Sequence, residues 1–186
     1  MPILSKEPEV FPDDLLDGKF QLDPDQNWFA MYTLARREKE LVRQLRQKKV
    51  SHYLPLAPSR KRSPSGRIRT SFLPLFTGYV FVRGTDADRY EAVCTGCISR
   101  CLDVTEPEQL FEDLRRIRIL SREGEDLRPE PKPVVGRQAV LKTGAMAGAR
   151  GIVTKVNDQH RLTVVVRFMQ QGASVLIDEA DVELLD

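Results

Sequence analysis

The run Leu73-Pro74-Leu75-Phe76-Thr77-Gly78-Tyr79-Val80-Phe81-Val82 is the most hydrophobic and most aromatic stretch of the 186-residue chain. It follows directly on the most basic segment, which ends at Arg67 and Arg69. From Gly78 onward the residues are aromatic or β-branched and bounded by Pro and Gly, which predicts a strand. Alternation puts Tyr79 and Phe81 on one face and Val80 and Val82 on the other. A core strand accounts for that pattern but not for Leu75 and Phe76, which lie in the approach between Pro74 and Gly78. Large apolar groups in such an approach are expected to be half covered, and an exposed apolar patch marks a docking surface.

Outward from this run, charge is distributed unevenly. The net charge is +2, but residues 1–27 carry 2 basic and 7 acidic groups, and residues 36–70 carry 12 basic and 2 acidic groups. Local basicity of that kind is what a polyanion partner reads. No apolar run approaches the roughly 20 residues of a membrane span, and the N-terminus lacks the basic-then-apolar pattern of a secretory signal. Three clustered cysteines without an export signal predict reduced thiols in a cytoplasmic protein rather than a disulfide framework.

In chain order, residues 1–27, proline-bearing, acidic and without period, are expected to form a disordered leader. Trp28–Leu34 predicts a central strand, apolar on both faces, with the Tyr32 hydroxyl near its end. Arg36–Lys49 predicts a helix with an apolar stripe of Leu41, Val42 and Leu45. Lys39, Arg43 and Arg46 recur on a second face, opposed only by Glu38 and Glu40. That excess favours nucleic acid nearby. Val50–Leu56 predicts a short strand, in which His52 is a surface or packing histidine. Arg60, Lys61, Arg62, Arg67 and Arg69 then flank a hairpin tip at Pro64 and Gly66. A helix over Asp86–Thr95 is expected to be capped by Asp86, with Tyr90, Val93 and Cys94 inward. Ile98–Val104 predicts another strand. Thr105 to Glu108 has the form of a capping box, opening a helix whose inner side is Leu110, Phe111, Leu114 and Ile117. Pro129, Pro131 and Pro133 predict an extended linker over 125–135. Beyond it, Leu162, Val164, Val166 and Phe168 alternate, and short strands over 136–186 imply a small β-barrel.

Chemistry finds little support in this sequence. Cys94, Cys97 and Cys101 have a spacing that could suggest a metal or redox centre, but no fourth Cys or His follows. The glycine-rich segment Gly144–Gly151 lacks the Gly-Lys-Ser/Thr ending of a phosphate loop. No nucleophile elbow or zincin motif occurs. Neither an enzyme nor a cofactor is expected.

Taken together, the Trp-led strand, the basic helix, Leu54-Pro55, the basic hairpin, the run from Pro74 to Val82, the Pro-rich linker and a final Gly-x3-Gly-x2-Gly segment resemble the NusG family of transcription elongation factors, and among them specialised paralogues such as RfaH and UpxY. The resemblance spans residues 28–186. Its strongest motifs are Pro74-Leu75-Phe76-x-Gly78-Tyr79-Val80-Phe81-Val82 and a C-terminal KOW motif with Gly136, Gly144, Gly148, Gly151 and Val153. It implies an α+β fold. Residues 28–124 would be an N-terminal (NGN) domain, a four-stranded antiparallel sheet with flanking helices, and residues 136–186 a KOW β-barrel. It also implies a monomer that docks on the clamp helices of the large subunit of RNA polymerase through Tyr32, Leu75, Phe76 and Phe81, and so reduces pausing and termination. Some paralogues read the non-template DNA strand, here through the region matched by Arg37, Gln44 and the end of the second helix, and Arg36 is counted with the nucleic-acid-binding residues. The barrel of the family contacts a ribosomal protein or Rho, which maps to Gly144, Met146, Gly148, Gly151 and Phe168. The sequence departs from the family at Thr77, a usual Pro; at Cys97 and Cys101, a usual Gly and aromatic; and at Ala145 and Met146, a usual Pro and Phe. An alternative function is a ribosome-associated RNA binder, since KOW barrels also occur in ribosomal proteins.

Overall fold

The structure, a computed structural model, describes residues 6–132 and 135–185. The chain forms two compact units, Met1–Thr105 and Glu106–Asp186. The fold is α+β, with three helices of eight residues or more among the described residues.

The first unit is built on a sheet whose members are β1 (Val10–Phe11), β2 (Asn27–Thr33), β3 (Ser51–Tyr53), β6 (Tyr79–Gly84) and β7 (Ile98–Asp103). Their order is β1-β3-β6-β2-β7, and every pairing is antiparallel. A separate two-stranded ribbon, β4 (Leu56–Arg62) with β5 (Ile68–Pro74), carries the basic hairpin. Helix α1 (Glu38–Gln47) lays Leu41, Val42 and Leu45 on the sheet face formed by Phe29, Met31, Val80 and Val82. Ala92 of α2 (Asp86–Val93) joins the same cluster. Burying such side chains contributes roughly 1.5–3 kcal/mol each. The opposite face, with Trp28, Ala30, Tyr53 and Phe81, is sealed as well. The apolar character of β2 on both sides is thus a requirement of a strand in the middle of its sheet.

Two expectations for this unit are corrected. The leader is ordered over its described part, and residues 1–5 of that segment lie outside the described residues. Val10 and Phe11 pair with Tyr53 and His52, making a fifth strand where four were expected. Leu15 and Leu16 are buried. The segment has no period of its own because it borrows the free edge of β3 and the side of α1. Helix α2 is capped by Thr85 rather than Asp86, through a reciprocal pair with Asp88. Its register turns Tyr90 outward, 68% exposed, together with Val93, while Ala92 faces in.

The second unit pairs helix α3 (Pro107–Glu123) with a six-stranded antiparallel sheet. The strands are β8 (Glu125–Glu130), β9 (Arg137–Leu141), β10 (Arg150–Val156), β11 (Gln159–Val166), β12 (Gln171–Ile177) and β13 (Val182–Leu184), in the order β13-β9-β10-β11-β12-β8. Leu110, Phe111, Leu114 and Ile117 of α3 are buried, as the sequence predicts. The helix is opened by Glu106 with Pro107 in its first turn, without the expected side-chain cap. Leu162, Val164 and Val166 are sealed along β11, but Phe168 does not extend the row. The strand ends at Val166, and a 3-10 turn over Arg167–Met169 leaves Phe168 at the surface.

The extended linker is also corrected. Glu125–Glu130 is an edge strand on β12, and Pro129, opposite Ala173, is tolerated because an edge needs no donor on its outer side. Pro133 and Val134 of that segment lie outside the described residues. Arg161 holds the strand in place. Buried itself, it donates to Ser174 Oγ at 2.9 Å, to Asp126 Oδ2 at 2.9 Å and to the Asp126 carbonyl at 2.6 Å. Ser174 in turn donates to Glu130 Oε1 at 2.7 Å. On α3, buried Asp113 accepts from the backbone N–H of Arg167 at 3.0 Å and from its guanidinium at 3.1 and 3.2 Å.

His52 is fully buried beneath β1, its ring stacked on Phe11. Its Nδ1–H donates to the Val50 carbonyl at 2.8 Å. Desolvation lowers its pKa to about 4, with the Arg46 charge adding to the shift and the Val50 bond opposing it. Between that value and the ordinary 6.5 the unfolded chain binds a proton that the folded chain refuses. Stability is therefore full above pH about 6.5 and falls as the pH drops toward 4, by on the order of 3 kcal/mol. Urea titrations across that range will show the loss, and His52→Asn, whose amide can still donate to Val50, will flatten it.

Candidate functional site

A buried glutamate ties the first turn of α1 to the turn before β6, where the expected docking residues lie. Glu38, in the first turn of α1, is buried, and its Oε1 accepts the Gly78 N–H at 2.8 Å. Gly78 has φ +85°, a backbone state that side chains avoid. A Cβ there would lie 2.9 Å from Cε2 of Tyr32. The glycine thus allows the turn before β6 and leaves room for the tyrosine ring. Tyr32 is 43% exposed and meets Tyr79 edge to face, with ring centroids 5.2 Å apart. Leu34, one residue past β2, is exposed beside the basic pair Arg36 and Arg37.

The rest of the patch is a correction. Leu75 and Phe76 are 3% and 1% exposed, and Phe81 is fully buried. They do not form the half-covered surface expected of them. The Leu75 N–H donates to the Pro55 carbonyl at 2.8 Å, and Phe76 stands edge-on to Phe81 at 6.5 Å. With the backbone pinned at Pro55 and Gly78, both side chains turn inward. Of the four predicted docking residues, Tyr32 alone reaches the surface.

The predicted cationic face divides in two. On α1, Arg43 is paired with Glu7, and Arg46 donates to the Val10 carbonyl at 3.1 Å while lying over the Phe11 ring at 5.6 Å. Arg37 pairs with Glu40 on its own helix. Gln44 faces inward, 3.6 Å from the Cys97 sulfur, and Lys39 is half-buried. The leader therefore occupies much of the helix face assigned to nucleic acid. The sequence favours a disordered leader over one that covers the basic segment, because the strap's contacts join residues 36 apart. A signal was present in the acidic excess of residues 1–27 against the basic excess that follows. The hairpin differs. Arg60, Lys61, Arg62, Arg67 and Arg69 are all exposed, and none forms an ion pair among the described residues.

In the second unit, Gly144 and Gly148 both adopt positive φ in the loop between β9 and β10, and Met146 between them is half-buried. Gly151 lies against the Thr163 carbonyl, where a Cβ would collide. The loop borders a cleft of about 610 Å³ whose lining includes Met146, His160, Asp178, Glu179 and Asp181. Phe168 is not among its lining residues. The cysteines do not converge on a site. Cys97 is buried, Cys94 exposed and Cys101 partly covered, where burial pushes its thiol up. Among the described residues no group of three His, Cys, Asp or Glu side chains is placed to hold a metal.

Residues 26–113, a little under half of the chain, match the family described as NusG, transcription termination factor nusG. That segment is similar to a NusG domain. It takes in the sheet of the first unit without the leader strand, and the first part of α3. No curated protein matches the chain. Among solved structures, the crystal structure of the MjSpt4:Spt5 complex in conformation A is 16% identical, over 86% of this chain and 98% of that one. The TM-score is 0.30, too loose a superposition to argue from.

Because Phe76 is sealed inside, Phe76→Ala will cost about 3–5 kcal/mol of stability. Chemical denaturation will show that loss, whereas a surface phenylalanine would lose almost nothing.

Proposed function

We propose that this protein is a transcription elongation factor, not an enzyme, that binds RNA polymerase through its first unit and reduces pausing and termination. The match of residues 26–113 to the NusG family carries the reading. In this proposal the chain acts in the cytoplasm as a monomer, one of the specialised RfaH- or UpxY-like paralogues. It grips the clamp helices of the large polymerase subunit.

The grip centres on Tyr32. Its ring is held outward over Gly78, supported by Tyr79 and flanked by Leu34. Leu75, Phe76 and Phe81 shape the turn and the strand beneath it, and contribute rigidity rather than contact area. Arg36 and Arg37, exposed beside this surface, are placed to meet a displaced non-template strand. The second unit is assigned as a KOW barrel, and the loop carrying Gly144, Met146, Gly148 and Gly151 as its contact for a ribosomal protein or Rho. The acidic lining of the neighbouring cleft suits a basic partner surface.

A ribosome-associated RNA binder is the second reading, and the unpaired cations of the hairpin favour it. Polymerase pull-down followed by transcription through a terminator separates the two. The elongation factor retains polymerase and raises read-through. The ribosomal reading requires tight ribosomal RNA binding and no polymerase. Tyr32→Ala will weaken polymerase capture about 10- to 100-fold, the equivalent of one half-buried aromatic anchor. Its melting curve will stay close to the parent's. Undiminished capture by this variant would remove Tyr32 from the interface.

A further inference from the structure

The β4–β5 ribbon differs in chemistry from the Tyr32 surface, being strongly cationic and apart from the main sheet. It holds seven cross-strand pairs, from Leu56 with Pro74 to Arg62 with Ile68. Seven residues of strand span about 23 Å. The turn closes through the Ser63 N–H to the Arg67 carbonyl, with Gly66 in the left-handed region. The ribbon makes a sheet of its own, so the distal half of each strand has no strand neighbour beyond its partner.

Strand alternation sorts its side chains. Lys61 and Arg69 face each other across the ribbon, as do Ser59 and Ser71, and Arg67 follows on that same face. Arg60 lies opposite Thr70 and Arg62 opposite Ile68 on the other face. Both faces are thus cationic. No acidic residue occurs between Leu54 and Asp86. One face is wholly polar towards its tip, with hydroxyls and forked donors in a row.

We propose that this ribbon enters the major groove of B-form duplex DNA. The major groove, about 12 Å wide, admits a two-stranded β-ribbon. The Lys61, Arg67 and Arg69 face turns to the base edges, with the Ser59 and Ser71 pair next along that face away from the tip. Arg60 and Arg62, on the outer face, have the length to fold over the rims to phosphates. Other polyanions fit less well. The A-form RNA major groove is too deep and narrow for a ribbon. Single strands are held by exposed aromatic platforms, and the only aromatic ring of the ribbon, Phe72, is partly buried under Lys6. The proposal is independent of polymerase docking.

The test uses the full chain and fluorescence anisotropy with a DNA duplex of about 20 base pairs. The comparison probes are the RNA duplex of the same sequence, either single strand, and polyglutamate. The DNA duplex is expected to bind at least tenfold more tightly than any of these. The log–log salt slope should be about −2, as for the two phosphate contacts of Arg60 and Arg62. Methyl green, a major-groove ligand, should displace the protein, and netropsin, a minor-groove ligand, should not. The triple variant Lys61→Ser, Arg67→Ser, Arg69→Ser should bind at least tenfold more weakly while melting like the parent, since all three residues are exposed. Equal binding to RNA duplex, single strand or polyglutamate, displacement by netropsin alone, or unchanged binding by the triple variant would each overturn the proposal. Polymerase capture by the same variant reports separately on the docking reading.

Discussion

The Glu38 carboxylate accepting the Gly78 amide is the contact on which the first unit turns. It joins the opening turn of α1 to the turn that launches β6, 40 residues away. A buried carboxylate without partners would be costly. Its partner here is a backbone N–H that would otherwise be lost to the fold, so each group satisfies the other. With that turn fixed, β6 pairs with β2 in register, Tyr32 opposite Tyr79 and Ala30 opposite Phe81. Gly78, with no Cβ, leaves room for the Tyr32 ring, while Leu75 and Phe76 turn inward. The chemistry of the surface follows from the chain path set by this one hydrogen bond.

Charge is arranged by the same economy of partners. The leader is acidic and the helix beside it basic; Glu7 neutralises Arg43, and the Val10 carbonyl accepts a hydrogen bond from Arg46. Exposed pairs of this kind stabilise little individually, typically 0–1 kcal/mol. Together with the β1 pairing and the burial of Leu15 and Leu16 they hold the segment in place. The consequence lies elsewhere. Once the helix arginines are engaged, the uncompensated positive charge of the first unit is concentrated on the β4–β5 ribbon.

The second unit uses buried charges in the opposite sense, as ties. Arg161 holds β8 to β12, and Asp113 holds α3 to the turn at Arg167. Breaking one partner of a buried pair generally costs more than an apolar replacement of both would. These ties explain why α3 and the proline-bearing segment belong to the second unit, although composition places the division at that segment.

Periodicity and turn chemistry were sufficient for the strand at Tyr79–Gly84, the apolar stripe of α1, the hairpin tip and the inward side of α3, while the α+β class came from the family resemblance. Each depends on neighbours a few residues apart, where side-chain geometry follows from the local period. The likeness of residues 26–113 to NusG was legible in the same way, from the run between Pro74 and Val82. Tertiary structure alone decided the ordering of the leader, the conversion of the linker into an edge strand and the burial of Leu75, Phe76 and Phe81. Those outcomes rest on hydrogen bonds and ion pairs between residues 20 to 40 positions apart. Sequence pattern carries the intrinsic preference of a segment, but which partner satisfies a donor, an acceptor or a charge is settled only when distant chain is brought alongside.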